Sequence, residues 1–256
     1  MTEELSQKIE SGAANMEEAL AIAKEAEKQG INKVVATPHY LARDYQLKPS
    51  EIKERVQKLQ TEIDQQGINL QILTGAEVYI SPDLAKQVKE GLITTINNSS
   101  YILIELPMRK IPDYVDNVLY DLQALGYRPI IAHPERYMDI IDDPNILYQW
   151  IKKGVLAQIN AGSLLGMFGS TIKETAEILV KHNLVQLIGS DLHSNNRRRE
   201  CLEEGCNRLE KLVGREAEKY LKNNELVIKG ENVITHPKVY EVQSGLIGTL
   251  KTALGF

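Results

Sequence analysis

Six segments of this sequence read as buried strands, and each has a metal-binding or polar residue at or just past its C-terminal end. In chain order these residues are His39, Glu77, Glu105, His133, Asn160, and the pair Asp191 and His193. In a barrel of parallel strands wrapped by helices, the C-terminal strand ends converge on one mouth, so residues far apart in sequence become neighbours. The sequence therefore predicts one polar site assembled from a whole domain.

These residues supply imidazole and carboxylate groups and no thiolate, a ligand set that suits Mn²⁺, Fe²⁺, Zn²⁺ or Mg²⁺. A carboxylate such as that of Glu77 can also bridge two ions. Paired ions activate water and stabilise an in-line displacement on phosphorus, so hydrolysis of a phosphate ester is the predicted chemistry. A single strand-end histidine is often structural, but six consecutive units favour a shared role. His182 and His236 lie away from the pattern and are interpreted as surface or capping residues.

Arginines follow two of the predicted ligands. Arg136 stands three residues after His133 in AHPERY, and Arg197, Arg198 and Arg199 follow His193. Guanidinium groups bind phosphate oxygens through paired hydrogen bonds, which makes these arginines candidate phosphoryl clamps. A solvated basic turn is the alternative.

The run NAGSLLGMFG, residues 160–169, is rich in small residues. Small residues would let a loop pack close to the site, and Asn160 could then hydrogen-bond a ligand. A tight structural turn explains the run nearly as well.

Helices and strands alternate along the chain. The predicted helices cover residues 16–29, 49–66, 82–90, 113–125, 143–153, 170–182 and 198–222, and strands precede or follow them at VVATPH, 69–80, 100–106, 128–133, 155–160 and 184–190. This order implies parallel βαβ units. We predict an α/β fold of one domain over residues 1–256: a distorted barrel with fewer than eight strands, an atypical segment at 1–11 and a tail at 241–256. Residues 1–11 read more as helix than as strand, so the first strand is predicted to be absent.

Composition narrows the function class. A net charge of -5 over 256 residues disfavours broad electrostatic binding to nucleic acid.

Cys201 and Cys206 have neither a redox nor a zinc spacing and are expected to be reduced thiols, which suits the cytoplasm. Neither has an arginine six residues later, which excludes a thiol phosphatase loop. We see no signal peptide or membrane span. For the apolar residues 245–256, a short frayed terminus or a strip packed on the barrel is favoured over a helix that docks on a membrane surface or a partner.

The segments ATPHY, GAEVYI, YILIELP, AHPERY, INAGSLLGMFG and SDLH together resemble the bacterial PHP-domain tyrosine-protein phosphatases of capsular and exopolysaccharide operons. The resemblance covers about residues 12–240. It implies a distorted (β/α)₇ barrel that holds up to three divalent ions, usually Mn²⁺. It also implies a substrate, the phosphotyrosine tail at the C-terminus of a bacterial tyrosine kinase that controls polysaccharide export.

The resemblance also implies a role for individual residues. The implied metal ligands are Glu77, Glu105 and His133 for one ion, Glu77 with Asp191 for a second, and His39 with His193 for a third. The implied phosphoryl-binding arginines are Arg136 and Arg198.

The chain departs from the family pattern at its start. The family opens with a His-x-His strand and an Asp-Asp-Gly turn, whereas no histidine precedes His39 here, and Glu10 and Ser11 stand in the places of the two aspartates. We therefore expect fewer than three ions, either because the start is altered or because the chain is a degenerate member with one good site. Two alternatives stay open. The first is a non-catalytic binder of the phosphorylated kinase tail. The second is another PHP phosphoesterase, such as a histidinol phosphatase or a nuclease, of which the nuclease is disfavoured by the net negative charge.

Overall fold

In a computed structural model, which describes residues 15–41, 46–191 and 201–241, the chain alternates strands with helices. The strands are β1 Lys33–Ala36, β2 His39–Tyr40, β3 Gln71–Thr74, β4 Glu77–Tyr79, β5 Tyr101–Glu105, β6 Arg128–Ala132, β7 Leu156–Asn160 and β8 Leu187–Gly189. The helices are α1 Met16–Lys28, α2 Pro49–Gln65, α3 Leu84–Lys89, α4 Val115–Ala124, α5 Met138–Asp142, α6 Asn145–Lys152, α7 Ala161–Leu164, α8 Ser170–Lys181, α9 Leu202–Val213 and α10 Glu218–Lys229. Short 3₁₀ turns lie at Ile96–Asn98, Pro134–Arg136 and Gly214–Ala217.

All the strand pairs are parallel, as the alternation predicts. Strands β2, β4, β5, β6, β7 and β8 form a six-stranded sheet in that order, and β1 pairs with β3 in a separate two-stranded sheet. The prediction of one continuous strand over 69–80 was wrong, because β3 and β4 are separated at Gly75. A Cβ atom at Gly75 would lie 2.8 Å from Val35 Cγ1, so the two chain segments approach too closely there for any larger residue.

Both faces of the sheet are buried, which explains why its strands are apolar throughout. In β5, Ile102 and Ile104 pack into the core that also contains Leu122 of α4. The alternate residues Tyr101 and Leu103 pack into a second core on the opposite face. Successive strand side chains point to opposite faces, so a continuous apolar run fills two cores at once.

The last predicted helix, over 198–222, was wrong in extent. The described residues form α9 and α10, separated by the 3₁₀ turn at Gly214–Ala217. Gly214 has a φ of 60°, a left-handed value that interrupts a helix and that glycine adopts at little cost. Leu209 of α9 and Val227 of α10 are buried, the former in the first core and the latter in the second.

Within the described residues, no helix combines the length and the apolar character that crossing a bilayer requires. Neither Cys201 nor Cys206 forms a disulfide bond.

Strand β8 pairs with β7 on one side, and α10 covers part of its other side. The Asn224 amide donates to the Ile188 carbonyl oxygen at 2.7 Å and accepts from the Ile188 N–H at 3.4 Å. One side-chain amide thus satisfies the two backbone groups that a further strand would otherwise pair. This is one way in which a sheet edge is protected from pairing with other chains.

Asn224→Asp is expected to lower the free energy of unfolding by about 1–2 kcal/mol, since it removes the donor to the Ile188 carbonyl and turns a carboxylate towards that oxygen. Asparagine and aspartate have similar helix propensities, so the helix itself contributes little to the difference. Urea unfolding would measure the change against Asn207→Asp, a matched substitution at an exposed position of α9. Equal stabilities of the two variants would contradict this role for Asn224.

Candidate metal centre

Four of the predicted ligands meet where parallel strands end or resume. His39 opens β2 and is paired in register with Glu77, which opens β4. Glu105 is the last residue of β5 and lies in register with Tyr79 of β4. His133 follows β6 directly. His39 and Glu77 were predicted to end strands, but each opens a new strand, three residues past the end of β1 or β3. The parallel register still places them beside Glu105 and His133.

The side chains of this group lie within reach of one ion. The Nε2 atom of His133 is 2.8 Å from Glu77 Oε1 and 3.8 Å from Glu105 Oε1. The Nδ1 atom of His39 is 3.5 Å from Glu105 Oε2. Ligand atoms of His39, Glu77 and Glu105 all lie within 4.8 Å of one another. Ligands about 2.1 Å from a common ion are about 3–3.5 Å apart, so small side-chain shifts would complete a coordination sphere.

The electrostatics of the group also favour a cation. Burial raises the pKa of the Glu105 carboxyl, and the nearby Glu77 carboxylate raises it further. Burial lowers the pKa of His133, but the hydrogen bond and the charge of Glu77 outweigh it, so the pKa of His133 is raised overall. Two buried carboxylates side by side repel each other unless positive charge lies between them. The donor set therefore fits a divalent ion such as Mn²⁺.

A second polar group adjoins the first. Asp191, just past β8, accepts a hydrogen bond from the Asn160 Nδ2 atom at 2.7 Å. Arg136 Nη1 is 3.6 Å from Asp191 Oδ2. The positive charge of Arg136 also reaches the first polar group, where it partly offsets the rise in the pKa of Glu105 and of His133. The predicted ligand Asp191 and the predicted clamp Arg136 are therefore neighbours.

Two residues of the site have strained backbones. His133 has a φ of 32° and Asp191 a φ of 50°, values that side-chain-bearing residues rarely adopt. Such residues cost about 1–3 kcal/mol each and cluster at functional sites. The His133 side chain belongs to the first polar group and the Asp191 side chain to the second.

Arg136 is held in place by an aromatic ring. Its guanidinium carbon lies 5.4 Å from the centre of the Phe168 ring. Phe168 in turn packs against Gly162, where an added Cβ atom would come within 3.2 Å of Phe168 Cε2. The run 160–169 was interpreted as a loop or tight turn, but its first part forms the helix α7. Its small residues do allow close packing beside the site.

An open cavity of about 980 Å³ reaches both polar groups. It extends between α1, β1, β8 and α10, and its lining includes the site residues His39, Glu77, His133, Asn160 and Asp191. The predicted residues His193 and Arg198, with Arg197 and Arg199, fall in 192–200 and lie outside the described residues.

Sequence reasoning missed two buried residues in AHPERY. Tyr137 is fully buried, and its hydroxyl accepts from the Leu106 N–H and donates to the Ala132 carbonyl, both at 2.9 Å. This hydroxyl ties the end of β5 to the end of β6, which carry Glu105 and His133. Glu135 is also fully buried, and burial raises its pKa. A glutamate beside a proline and an arginine reads as a solvated loop residue, so no local signal indicated its position.

Comparisons with known proteins show which family the chain is similar to. The family model described as "Capsular polysaccharide synthesis, CpsB/CapC" matches residues 5–229. The tyrosine-protein phosphatase YwqE of Bacillus subtilis (strain 168) is 34% identical over 230 residues, which cover 90% of this chain and 91% of the relative. The putative tyrosine-protein phosphatase CapC of Staphylococcus aureus is 35% identical over 226 residues, with 88% and 89% covered.

A solved structure has a similar fold. It comes from work on YwqE from Bacillus subtilis and CpsB from Streptococcus pneumoniae, described as unique metal-dependent tyrosine phosphatases. Its TM-score is 0.89 at 32% identity, with 93% of this chain and 97% of that chain covered.

Proposed function

The chain belongs to the CpsB/CapC family of capsular polysaccharide synthesis proteins, and from that membership we propose that it is a metal-dependent phosphatase that hydrolyses phosphotyrosine. The proposed substrate is the phosphorylated C-terminal tail of a bacterial tyrosine kinase that regulates capsule or exopolysaccharide synthesis. The observation that carries the proposal is the cluster of His39, Glu77 and Glu105, with His133 hydrogen-bonded to it and Arg136 alongside.

The proposed ligands are His39, Glu77, Glu105, His133 and Asp191, together with His193. Mn²⁺ is the proposed ion. When bound, such ions acidify water and draw charge from phosphoryl oxygens.

Side chains of the site would bind the phosphoryl group and position it at the metal. Arg136, and Arg198 with it, would bind the phosphoryl oxygens and stabilise the charge that grows on them in the transition state. The Phe168 ring fixes the direction of the Arg136 guanidinium, so less rotamer entropy is lost when a phosphate binds. Glu77 and Glu105 would hold the metal side of the site, and the positive groups would face the incoming phosphate.

The proposed architecture is a distorted PHP-type (β/α)₇ barrel that forms one domain. The parallel order of the strands supports this architecture. The proposed location is the cytoplasm, where the kinase tail would be available.

Turnover with and without bound metal tests the proposal. The protein is stripped with EDTA, reloaded with Mn²⁺, and assayed on a phosphotyrosine peptide, a matched phosphoserine peptide and histidinol phosphate. We expect EDTA to abolish hydrolysis of the phosphotyrosine peptide and Mn²⁺ to restore it, with little turnover of the other two. Preference for histidinol phosphate, or tight binding of the phosphotyrosine peptide without hydrolysis by the loaded protein, would overturn the proposal.

A further inference from the structure

Glu135 is a carboxylic acid with no access to solvent, placed between His133 and Arg136 in the turn after β6. Its Oε1 atom accepts hydrogen bonds from Ser163 Oγ at 2.6 Å and from the Asn160 N–H at 3.1 Å. Its Oε2 atom has no hydrogen-bond partner among the described residues. Burying a carboxyl group is costly, and a neutral side chain of the same size would avoid the cost. The two hydrogen bonds that Glu135 accepts therefore indicate the reason for its burial.

Both bonds of Glu135 fix the same turn. Asn160 is the residue before α7, and Ser163 lies within α7, so one carboxylate oxygen is bonded to two points of that turn. The backbone N–H of Asn160 stands at the end of β7, where another chain segment would have to satisfy it. Glu135 thereby ties the turn after β6 to the turn after β7.

Asn160, at the start of this segment, binds Asp191. The Asn160 side chain is fully buried, and its Nδ2 atom donates to Asp191 Oδ2 at 2.7 Å. Asp191 adopts a φ of 50°, so its backbone does not favour this position by itself. Arg136, the residue after Glu135, faces the same carboxylate oxygen at 3.6 Å. A continuous set of contacts therefore runs from Glu135 through Asn160 to Asp191.

We propose that Glu135 is a positioning residue of the metal centre, which acts through Asn160 to hold the Asp191 carboxylate beside Arg136. The inference rests on the proposed function, because Asp191 matters in this way only if it contributes to a metal-dependent site. Glu135 touches neither substrate nor metal in this scheme. Its effect is indirect, as for groups that orient metal ligands from behind.

The test compares substitutions that keep or remove the acceptor oxygen. Glu135→Gln retains an oxygen for Ser163 and Asn160, whereas Glu135→Ala removes it. We expect Glu135→Ala to weaken Mn²⁺ binding and to lower kcat on a phosphotyrosine peptide, each by about 10- to 100-fold. Glu135→Gln should stay within about 3-fold of the wild type in both. Mn²⁺ affinity is measured by electron paramagnetic resonance of the free ion, a readout that does not depend on turnover.

A double-mutant cycle separates positioning from general stability. If Glu135 acts through Asn160, Asn160→Ala should weaken Mn²⁺ binding to a similar extent, and the double variant should be no worse than the more impaired single variant. Ser163→Ala removes one of the two bonds and should give a smaller loss, which keeps the test available if Glu135→Ala does not fold.

The outcomes distinguish this inference from the proposed function. A wild-type protein that binds Mn²⁺ but hydrolyses no phosphotyrosine would overturn the proposed function, while weaker Mn²⁺ binding by the Glu135 and Ser163 variants would still support the positioning role. Mn²⁺ affinities of Glu135→Ala and Ser163→Ala within 2-fold of the wild type would overturn the inference. Additive losses in the double variant, or a wild type that binds no Mn²⁺, would overturn it as well.

Discussion

Glu77→Gln is expected to remove phosphatase activity and metal binding while leaving the metal-free protein folded. Glu77 is the carboxylate at the middle of the cluster, bonded to His133 at 2.8 Å and grouped with His39 and Glu105. A glutamine keeps the shape and an oxygen acceptor for His133 but lacks the charge that a divalent ion requires. We expect kcat on a phosphotyrosine peptide to fall at least about 100-fold, or about 2.7 kcal/mol.

The loss of activity should not be accompanied by a loss of stability of the metal-free variant. In the metal-free protein, Glu77 and Glu105 repel each other, as the raised pKa of Glu105 indicates. Removing one charge should keep or increase the free energy of unfolding of the metal-free protein. Saturating Mn²⁺ should raise the Tm of the wild type, because it binds the folded state, but not that of the variant.

Glu54→Gln is the matched control for this substitution, since Glu54 is exposed on α2. It should retain both the activity and the Mn²⁺-dependent rise in Tm. A Glu77→Gln protein that keeps normal turnover would show that this cluster is not the centre at which the reaction takes place.

The grouping of the candidate metal ligands could be predicted from sequence because it follows from repeating local patterns. Each strand is recognisable as an apolar run, and parallel strands end on the same side of a sheet. Glu105 ends β5, His133 follows β6, and Glu77 lies three residues past the end of β3. Their meeting needs no knowledge of particular loops. The structure places His133 Nε2 2.8 Å from Glu77 Oε1 and 3.8 Å from Glu105 Oε1.

The supporting residues could not be predicted because their burial depends on distant partners. Glu135 is buried through contact with Ser163, 28 residues away, and Tyr137 bonds to Leu106, 31 residues away. Neither position has a periodic signal, and both lie in a segment whose composition resembles an exposed turn. The close approach at Gly75 likewise depends on Val35 in another strand, so the break between β3 and β4 escaped a prediction based on apolar character.

The break at Gly214 is a different kind of miss. A glycine within a predicted helix is a local signal, and amphipathic spacing on both sides of it concealed the boundary. Hydrophobic periodicity indicates that a segment is helical but does not show whether it forms one helix or two. The position of a break needs the backbone conformation, here the positive φ of Gly214.

Arg136→Ala is expected to separate phosphate binding from metal binding. Arg136 lies beside Asp191 and against Phe168 but offers no metal ligand. Loss of a preorganised donor to a developing oxyanion costs about 100- to 1,000-fold in kcat, and we expect a fall of that size on a phosphotyrosine peptide. Mn²⁺ affinity should be kept or slightly increased, because a positive charge near Glu105 and Asp191 has been removed.

Arg136→Lys refines this expectation, since lysine keeps the charge but not the planar fork that binds two phosphate oxygens. It should lose at least about 10-fold in kcat and bind inorganic phosphate more weakly as an inhibitor. Arg128→Lys is the matched control, because Arg128 begins the same strand β6 at its opposite end and packs on the Tyr101 ring. The control should retain wild-type turnover. If Arg136→Ala lost Mn²⁺ binding as severely as Glu77→Gln, the arginine would be required to build the metal centre and its assignment as a phosphoryl clamp would be wrong.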